Sequence, residues 1–367
     1  MIIDYSFKKF KKSKSLCTEF DPWNIAESTY RPEDNVRYES IFSQGNGYMG
    51  GRGFTEEGYS GDFKNTLKCI FVAGVYDNFK GRFVEIVNVP NFFKTDIHLG
   101  GEKFDPLKMR VVNYQRNLNM KNGLLTRELE VVQKNGNRTR LCFKRFYSVA
   151  NTHIAGSRIE ITPLNYSGPI KIESFIDGDV ANIKQGFWPP LKETEYNYHL
   201  DIVDKSFPQK NTMVLSTRTK TTKIDISIAS SIKLNLECEP ETINNEKSIG
   251  YSYQINGQKN KTVTIDKIIS VFTSRDKVKK TVQAQALDTL KIESKSGFKG
   301  ALRETEKAWQ EKWATQDIKI EGNVKDQQAI RFNIFNLIQA NKSDDPTVNI
   351  GAKCLTHMRY NGYFFWD

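Results

Sequence analysis

The sequence predicts a mainly β protein: a large antiparallel β-sandwich, followed by helices near the end of the chain. Up to about residue 270, short segments rich in Val, Ile, Phe, Tyr and Thr alternate with Gly, Asn, Asp and Pro. This is the pattern of strands joined by turns. No strand alternates with a helix at the spacing of a βαβ unit, which argues against a parallel sheet. From about residue 273 the apolar residues recur at helical spacing instead.

The clearest hairpin is predicted where two apolar runs flank Asn135 and Gly136. The runs cover residues 125–132 and 138–146, and in the first of them apolar and polar side chains alternate. An Asn-Gly pair between two such runs is the strongest short signal for a tight hairpin turn. Further strands are predicted at residues 170–176, 212–216, 224–228 and 261–273.

Two amphipathic helices are predicted in the last quarter of the chain. The first follows Gly297 and carries Trp309 and Trp313 on its apolar stripe, where we expect them to pack on a neighbouring element rather than on a sugar. The second covers residues 326–340. Because its apolar side chains extend beyond one narrow stripe, we expect it to need neighbours on several sides that this chain does not supply.

Composition limits the kinds of protein that this chain can be. Of its residues, 38% are hydrophobic and 12% are aromatic, which is enough for a globular core. No apolar run approaches the roughly 18 residues of a membrane span. The five cysteines are scattered without a C-x-x-C pair, which favours a reducing, cytoplasmic location. The net charge of +11 comes from scattered lysines with one cluster at residues 8–14, so we predict neither a nucleic-acid nor a membrane partner.

Two patterns that suggest chemistry have simpler structural interpretations. The G-x-G-x-x-G pattern at residues 45–50 is followed by further glycines rather than by a helix. We therefore interpret it as strand corners and not as a dinucleotide site. Asp177 and Asp179 could form a paired-carboxylate site, but two acids this close on either side of a glycine favour a turn.

The histidines suggest no catalytic or metal site. Cys354 and His357 lack a second pair of ligands, so no metal is predicted there. No serine lies in a G-x-S-x-G turn that could pair with a histidine. We interpret three separated histidines as surface or satisfied core residues; they are His98, His153 and His199.

The last eighteen residues combine aromatic side chains, glycines and a terminal aspartate, a combination suited to stacking on a sugar ring and accepting its hydroxyl protons. This segment resembles a signature of glycoside hydrolase family 65, the maltose, kojibiose and trehalose phosphorylases and their relatives. The matching positions are Gly351, Ala352, Lys353, Leu355, Thr356, Tyr360, Gly362, Phe365, Trp366 and Asp367. Cys354 stands where glycine is usual, and residues 357–359 replace a common Gly-Glu-Gly.

The resemblance covers the rest of the chain as well. Residues 39–53 resemble the family's opening signature, and further matches lie at residues 73–76, 87–91, 145–146, 161–163 and 176–182. The resemblance implies a galactose-mutarotase-like super-sandwich at residues 1–272, a helical linker at 273–320, and at 321–367 the beginning of an (α/α)6 catalytic barrel whose remainder would follow.

The resemblance also implies a function. Family phosphorylases cleave a glucose-containing disaccharide with inorganic phosphate and inversion, need no cofactor, and are expected to be homodimers when intact. It implies that Phe365, Trp366 and Asp367 contact the glucosyl unit, on a loop that we expect to have nothing packed behind it. No catalytic residue is assigned, because the general acid Glu and the phosphate site are expected beyond Asp367. The chain alone is therefore expected to be inactive. A family 65 hydrolase resembling acid trehalase, and a free-standing carbohydrate-binding sandwich, remain alternatives.

Overall fold

A computed structural model describes residues 20–62, 66–184, 195–277, 280–342 and 345–364. The lysine cluster at residues 8–14 and the predicted sugar contacts Phe365, Trp366 and Asp367 lie outside the described residues. No helix within the described ranges is long and apolar enough to span a membrane.

The described residues form many short and long strands and four helices. The strands are β1 (Asn24–Glu27), β2 (Gln44–Gly45), β3 (Met49–Gly51), β4 (Ile70–Val72), β5 (Tyr76–Phe79), β6 (Phe83–Ile86), β7 (Thr95–Leu99), β8 (Glu102–Lys103), β9 (Arg110–Asn119), β10 (Leu124–Val132), β11 (Arg138–Tyr147), β12 (Ile154–Pro163), β13 (Gly168–Asp177), β14 (Asn182–Lys184), β15 (Glu195–Asn197), β16 (Leu200–Gln209), β17 (Thr212–Thr219), β18 (Asp225–Leu234), β19 (Glu241–Asn244), β20 (Ser248–Gly257) and β21 (Val263–Thr273). The helices are α1 (Asn35–Ile41), α2 (Val282–Glu293), α3 (Gly297–Gln316) and α4 (Val324–Ala340).

Two large antiparallel sheets face each other, as the sequence predicted. The first has nine strands in the order β1-β9-β10-β11-β12-β21-β18-β17-β16, and the second has five in the order β19-β20-β13-β7-β8. Their inner faces meet in the largest hydrophobic cluster of the described chain, which includes Leu129, Leu141, Ile172, Tyr253 and Ile265. The predicted hairpin is confirmed, because β10 pairs with β11 and Leu129 lies opposite Leu141.

Helices α2 and α3 cover the outer face of the nine-stranded sheet. Phe146, Ile268 and Phe272 point to that outer face and pack against Leu290 of α2 and Phe298 of α3. Strand β21 is therefore buried on both faces over residues 267–273, although it includes polar residues such as Lys267 and Ser270.

Helix α4 has a neighbour within this chain on one face, so the expectation that the chain supplies none is wrong for that face. Phe335 is 1% exposed and stacks on Trp309 of α3, with ring centroids 4.9 Å apart. Asn323 caps the helix by accepting a hydrogen bond from the Lys325 N–H at 3.0 Å. Leu337, by contrast, is 60% exposed. One face of α4 thus belongs to the core next to the sandwich, and the opposite face is open to solvent.

Candidate functional site

Residues 345–364, the segment that leads to the predicted sugar contacts, lie against the sandwich. Leu355 and Met358 are buried in one cluster with Cys69, Phe71 and Ile86. The backbone N–H of Ile183 lies 2.9 Å from Met358 Sδ. The expectation that nothing packs behind this loop is therefore wrong for its described part.

The hairpin of β5 and β6 holds the last described turn of this segment. The Tyr76 hydroxyl donates a hydrogen bond to the Gly362 carbonyl at 2.7 Å, and the Tyr363 hydroxyl donates to the carbonyl of Val84. Burial raises the pKa of Tyr76, which keeps this phenol protonated as a donor. The backbone immediately before Phe365 is consequently fixed on both strands of the hairpin.

A buried polar cluster fixes the hairpin itself. His199 is 3% exposed, and its Nδ1 lies 3.1 Å from Asp77 Oδ2 while its Nε2 lies 2.9 Å from Glu85 Oε1. Burial opposes ionisation of Asp77, but hydrogen bonds from the Thr222 backbone and from His199 outweigh it and lower the pKa of Asp77. His199 is thus a satisfied core histidine, as predicted. Its acidic partners lie more than a hundred residues earlier, and no spacing in the sequence indicated them.

The glycine-rich signature at residues 45–53 is the surface on which the C-terminal elements dock. Gly45 and Gly50 lie in the short strands β2 and β3, and Gly47 donates a backbone hydrogen bond to the Gln339 carbonyl at 2.8 Å. A Cβ atom on Gly47 would lie 2.2 Å from the Asn341 carbonyl oxygen, and one on Gly50 would lie 2.8 Å from the Cβ of Leu355. These glycines are needed because α4 and the segment after it approach the backbone so closely.

We expect Gly47→Ala to destabilise the protein by about 2–4 kcal/mol, because it combines a strained backbone with a clash against a carbonyl. The matched control is Gly136→Ala. Gly136 has nearly the same backbone angle, φ +84° against +86°, but a Cβ there meets nothing within 4 Å. Urea unfolding of both variants measures the difference. Equal losses would mean that the contact with Asn341 contributes nothing.

The backbone conformation of Cys354 explains why glycine is usual at this position of the signature. Its φ is +50°, in the left-handed region that favours glycine. Burial raises the pKa of its thiol, so it is no reactive thiolate. Within the described residues, no three His, Cys, Asp or Glu side chains form a group that could hold a metal ion.

A cleft of about 590 Å³ opens beside the same segment, between the turn around Gly58 and the edge of the five-stranded sheet. Cys69 and Ile183 line the cleft and also contact residues 345–364. Its described lining includes the aromatic residues Phe54, Tyr59, Phe104, Tyr196 and Tyr198. The cleft and residues 345–364 therefore share two wall residues, Cys69 and Ile183.

Asp177 and Asp179 lie in this cleft and shape a turn, as the sequence predicted. The Asp179 N–H donates to Asp177 Oδ1 at 3.1 Å, and the Asp177 backbone pairs with Asn91. Asp177 also lies 2.6 Å from Lys94 Nζ, and Asp179 lies 3.0 Å from Lys247 Nζ. Both acids are thus occupied as partners of lysines.

Glu56 and Glu57 line the cleft and belong to a buried network with two arginines that do not line it. Arg127 contacts Glu57 at 2.5 Å and Glu56 at 3.1 Å, and Arg145 contacts Glu56 at 3.4 Å. Burial alone would lower the pKa of Arg127, but the carboxylate of Glu57 outweighs it and raises that pKa. Each described carboxylate that lines the cleft contacts a cation; the remaining pairs are Asp96 with Lys103 and Asp105 with Lys108. None of them is arranged as a general acid.

Comparison with known proteins decides the family. The family model described as "Glycosyl hydrolase family 65, N-terminal domain" matches residues 25–312. The chain belongs to glycosyl hydrolase family 65. It is 34% identical to a kojibiose phosphorylase of Thermoanaerobacter brockii over 95% of this chain and 45% of that protein. It is 29% identical to a maltose phosphorylase of Bacillus subtilis over 95% of this chain and 46% of that protein.

A solved structure has the same architecture. The structure titled putative kojibiose phosphorylase from human microbiome superposes with a TM-score of 0.84 at 27% identity, over 95% of this chain and 46% of that one. The family 65 resemblance seen in the sequence is thereby confirmed. The chain spans a little under half the length of the relatives that it matches.

Proposed function

We propose that this chain forms the N-terminal part of an inverting disaccharide phosphorylase that transfers the glucosyl unit of an α-glucoside to inorganic phosphate. The observation that carries the proposal is the docking of residues 345–364. This segment carries the part of the family signature that precedes the proposed sugar contacts, and it is fastened to the matched domain by Tyr76, Tyr363 and the glycines of residues 45–53.

The proposal includes a division of the chain into three regions. In it, residues 1–272 belong to the sandwich, residues 273–320 form the helical linker, and residues 321–367 begin an (α/α)6 barrel. The solvent-facing side of α4, marked by Leu337, is the surface that further barrel helices would cover. The whole enzyme is proposed to be a homodimer.

In the proposed reaction, Trp366 forms a wall of the glucosyl site together with Phe365, and Asp367 accepts hydrogen bonds from sugar hydroxyls. A glutamic acid beyond Asp367 protonates the glycosidic oxygen, and phosphate attacks the anomeric carbon from the opposite face. The bond to the leaving sugar breaks as the bond to phosphate forms. An α-glucoside thus gives β-glucose 1-phosphate and a free acceptor sugar.

The test joins this chain, after Asp367, to the remaining part of the T. brockii kojibiose phosphorylase. We expect the joined protein to release β-glucose 1-phosphate from kojibiose, maltose, nigerose or trehalose only when phosphate is present, and the chain alone to release none. Asp367→Asn should lower kcat/KM about 100-fold or more, because the glucosyl unit loses a positioning contact. Asp326→Asn, which changes an exposed acid in the first turn of α4, is the control and should leave turnover unchanged.

Other outcomes would assign the chain differently. Release of glucose without phosphate by the joined protein would favour the family 65 hydrolase alternative. Turnover by the chain alone would contradict the placement of the general acid beyond Asp367. Circular dichroism of every variant would show whether a loss of turnover reflects a loss of fold.

A further inference from the structure

The cleft beside Gly58 contains a lysine whose ammonium directly contacts no carboxylate among the described residues. Four lysines line the cleft, and three of them contact an aspartate: Lys94, Lys103 and Lys108. The fourth is Lys68. Within the described part of the chain its Nζ makes no hydrogen bond or ion pair, whereas the lining carboxylates all contact cations. Lys68 is therefore the one lysine of the described lining with no carboxylate in direct contact.

The backbone of Lys68 is held in place from both sides. The Leu67 N–H donates to Glu39 Oε2 at 2.7 Å, and Asn88 Nδ2 donates to the Lys68 carbonyl at 3.2 Å. Glu39 is itself fully buried and lies 3.5 Å from Arg52. The side chain of Lys68 thus extends into the cleft from a fixed anchor, so little ordering of the main chain is needed when a ligand binds.

The ammonium lies where a ligand can reach it. Gly58 has a φ of +83°, and a Cβ on it would lie only 3.1 Å from Lys68 Nζ, so the missing side chain leaves this space open. The Lys68 residue is open to solvent on one side, while the cleft walls partly desolvate its ammonium. This desolvation and the positive charge of Lys94 lower the pKa of Lys68, and the carboxylates of Glu39, Asp177 and Glu57 oppose the shift without cancelling it. A bound anion would raise that pKa, because a nearby negative charge favours the charged amine.

We propose that this cleft binds a phosphate group at Lys68, with Lys94 nearby. Lys94 is already paired with Asp177, so it adds a second positive charge rather than a free ammonium. Lysine binds phosphate as a compact point charge with three donors. Tyr196, which is 48% exposed, lines the same cleft and offers an aromatic side chain to an attached sugar. The chemistry shared by the two candidate ligands, inorganic phosphate and a sugar phosphate, is the phosphate group. The inference concerns sandwich residues alone and does not rest on the proposed phosphorylase activity.

The experiment titrates the chain with inorganic phosphate and with glucose 1-phosphate by isothermal calorimetry at constant ionic strength. We expect Lys68→Met to weaken binding about tenfold or more, because a charge-assisted hydrogen bond is lost. Lys108→Met is the matched control. It removes the same charge from the same cleft but from a side chain that is 74% exposed and paired with Asp105, and it should change affinity less than twofold.

A second measurement identifies the site directly. Lys68 should be acetylated by dilute acetic anhydride faster than surface lysines, since its amine is more often neutral, and bound phosphate should protect it. Tighter binding of glucose 1-phosphate than of phosphate would assign a sugar phosphate, and equal binding would assign the inorganic ion. Equal weakening by Lys68→Met and Lys108→Met, or no protection of Lys68, would overturn the proposal.

Discussion

Replacing Lys267 with methionine is expected to stabilise the protein at neutral and acidic pH. Lys267 lies on β21 and points into the core between the two sheets, where it is 4% exposed and donates to the Phe175 carbonyl at 2.6 Å. No carboxylate is hydrogen-bonded to it among the described residues. Burial therefore lowers the pKa of Lys267 from its usual 10.5 to about 7.

The pH dependence follows from this shift. The unfolded chain holds the Lys267 proton more tightly than the folded protein, so the stability of the natural protein rises as the pH increases from about 7 to about 10.5. Below pH 7 the lysine is charged in both states, and the full cost of burying that charge is present. Methionine carries no such cost. At high pH it only leaves the Phe175 carbonyl without its donor, which costs about 1–3 kcal/mol.

Urea unfolding at pH 6 and pH 10 measures the effect. From pH 6 to pH 10 the natural protein should gain several kcal/mol of unfolding free energy relative to Lys267→Met, since one pKa unit corresponds to about 1.4 kcal/mol. Lys233→Met, on the exposed side of the neighbouring strand β18, is the control and should show a flat difference. A flat difference for Lys267→Met as well would mean that Lys267 keeps an ordinary pKa.

Trp309→Ala is expected to cost about 3–5 kcal/mol and to release α4 from the sandwich. The Trp309 ring is 1% exposed and lies between Phe335 and Trp313, with centroids at 4.9 and 6.1 Å. Truncation opens a large cavity at the contact between α3 and α4. Since α4 leads to the segment that carries the sugar signature, the same change should loosen that segment.

The control for this variant is Leu337→Ala on the solvent-facing side of α4, which should cost less than about 0.5 kcal/mol. Urea unfolding gives the free energies, and limited proteolysis reports whether α4 has detached. We expect faster cleavage near residues 317–323 in Trp309→Ala only. A loss below 1 kcal/mol together with an unchanged cleavage pattern would show that α4 is held without this stack.

The sequence by itself determined those features that depend on neighbours in the chain. The alternation in β10 and the Asn135-Gly136 turn predicted a hairpin, and the register that places Leu129 opposite Leu141 agrees with it. Helical spacing placed Trp309 and Trp313 in the core, where they are buried. These predictions succeed because strand and helix periods are local, and a side chain three or four residues along a helix faces the same way.

Only the tertiary structure decided which residues from distant parts of the sequence contact each element. His199 looked isolated, yet the fold brings Asp77 and Glu85 to its two ring nitrogens. The open ammonium of Lys68 depends on which other charges the sheets bring to the same cleft. Likewise α4 was expected to lack neighbours within this chain, because no pattern within it shows that Trp309 covers Phe335. Contacts between distant residues arise from the packing of whole sheets and helices, and no period within a single segment encodes them.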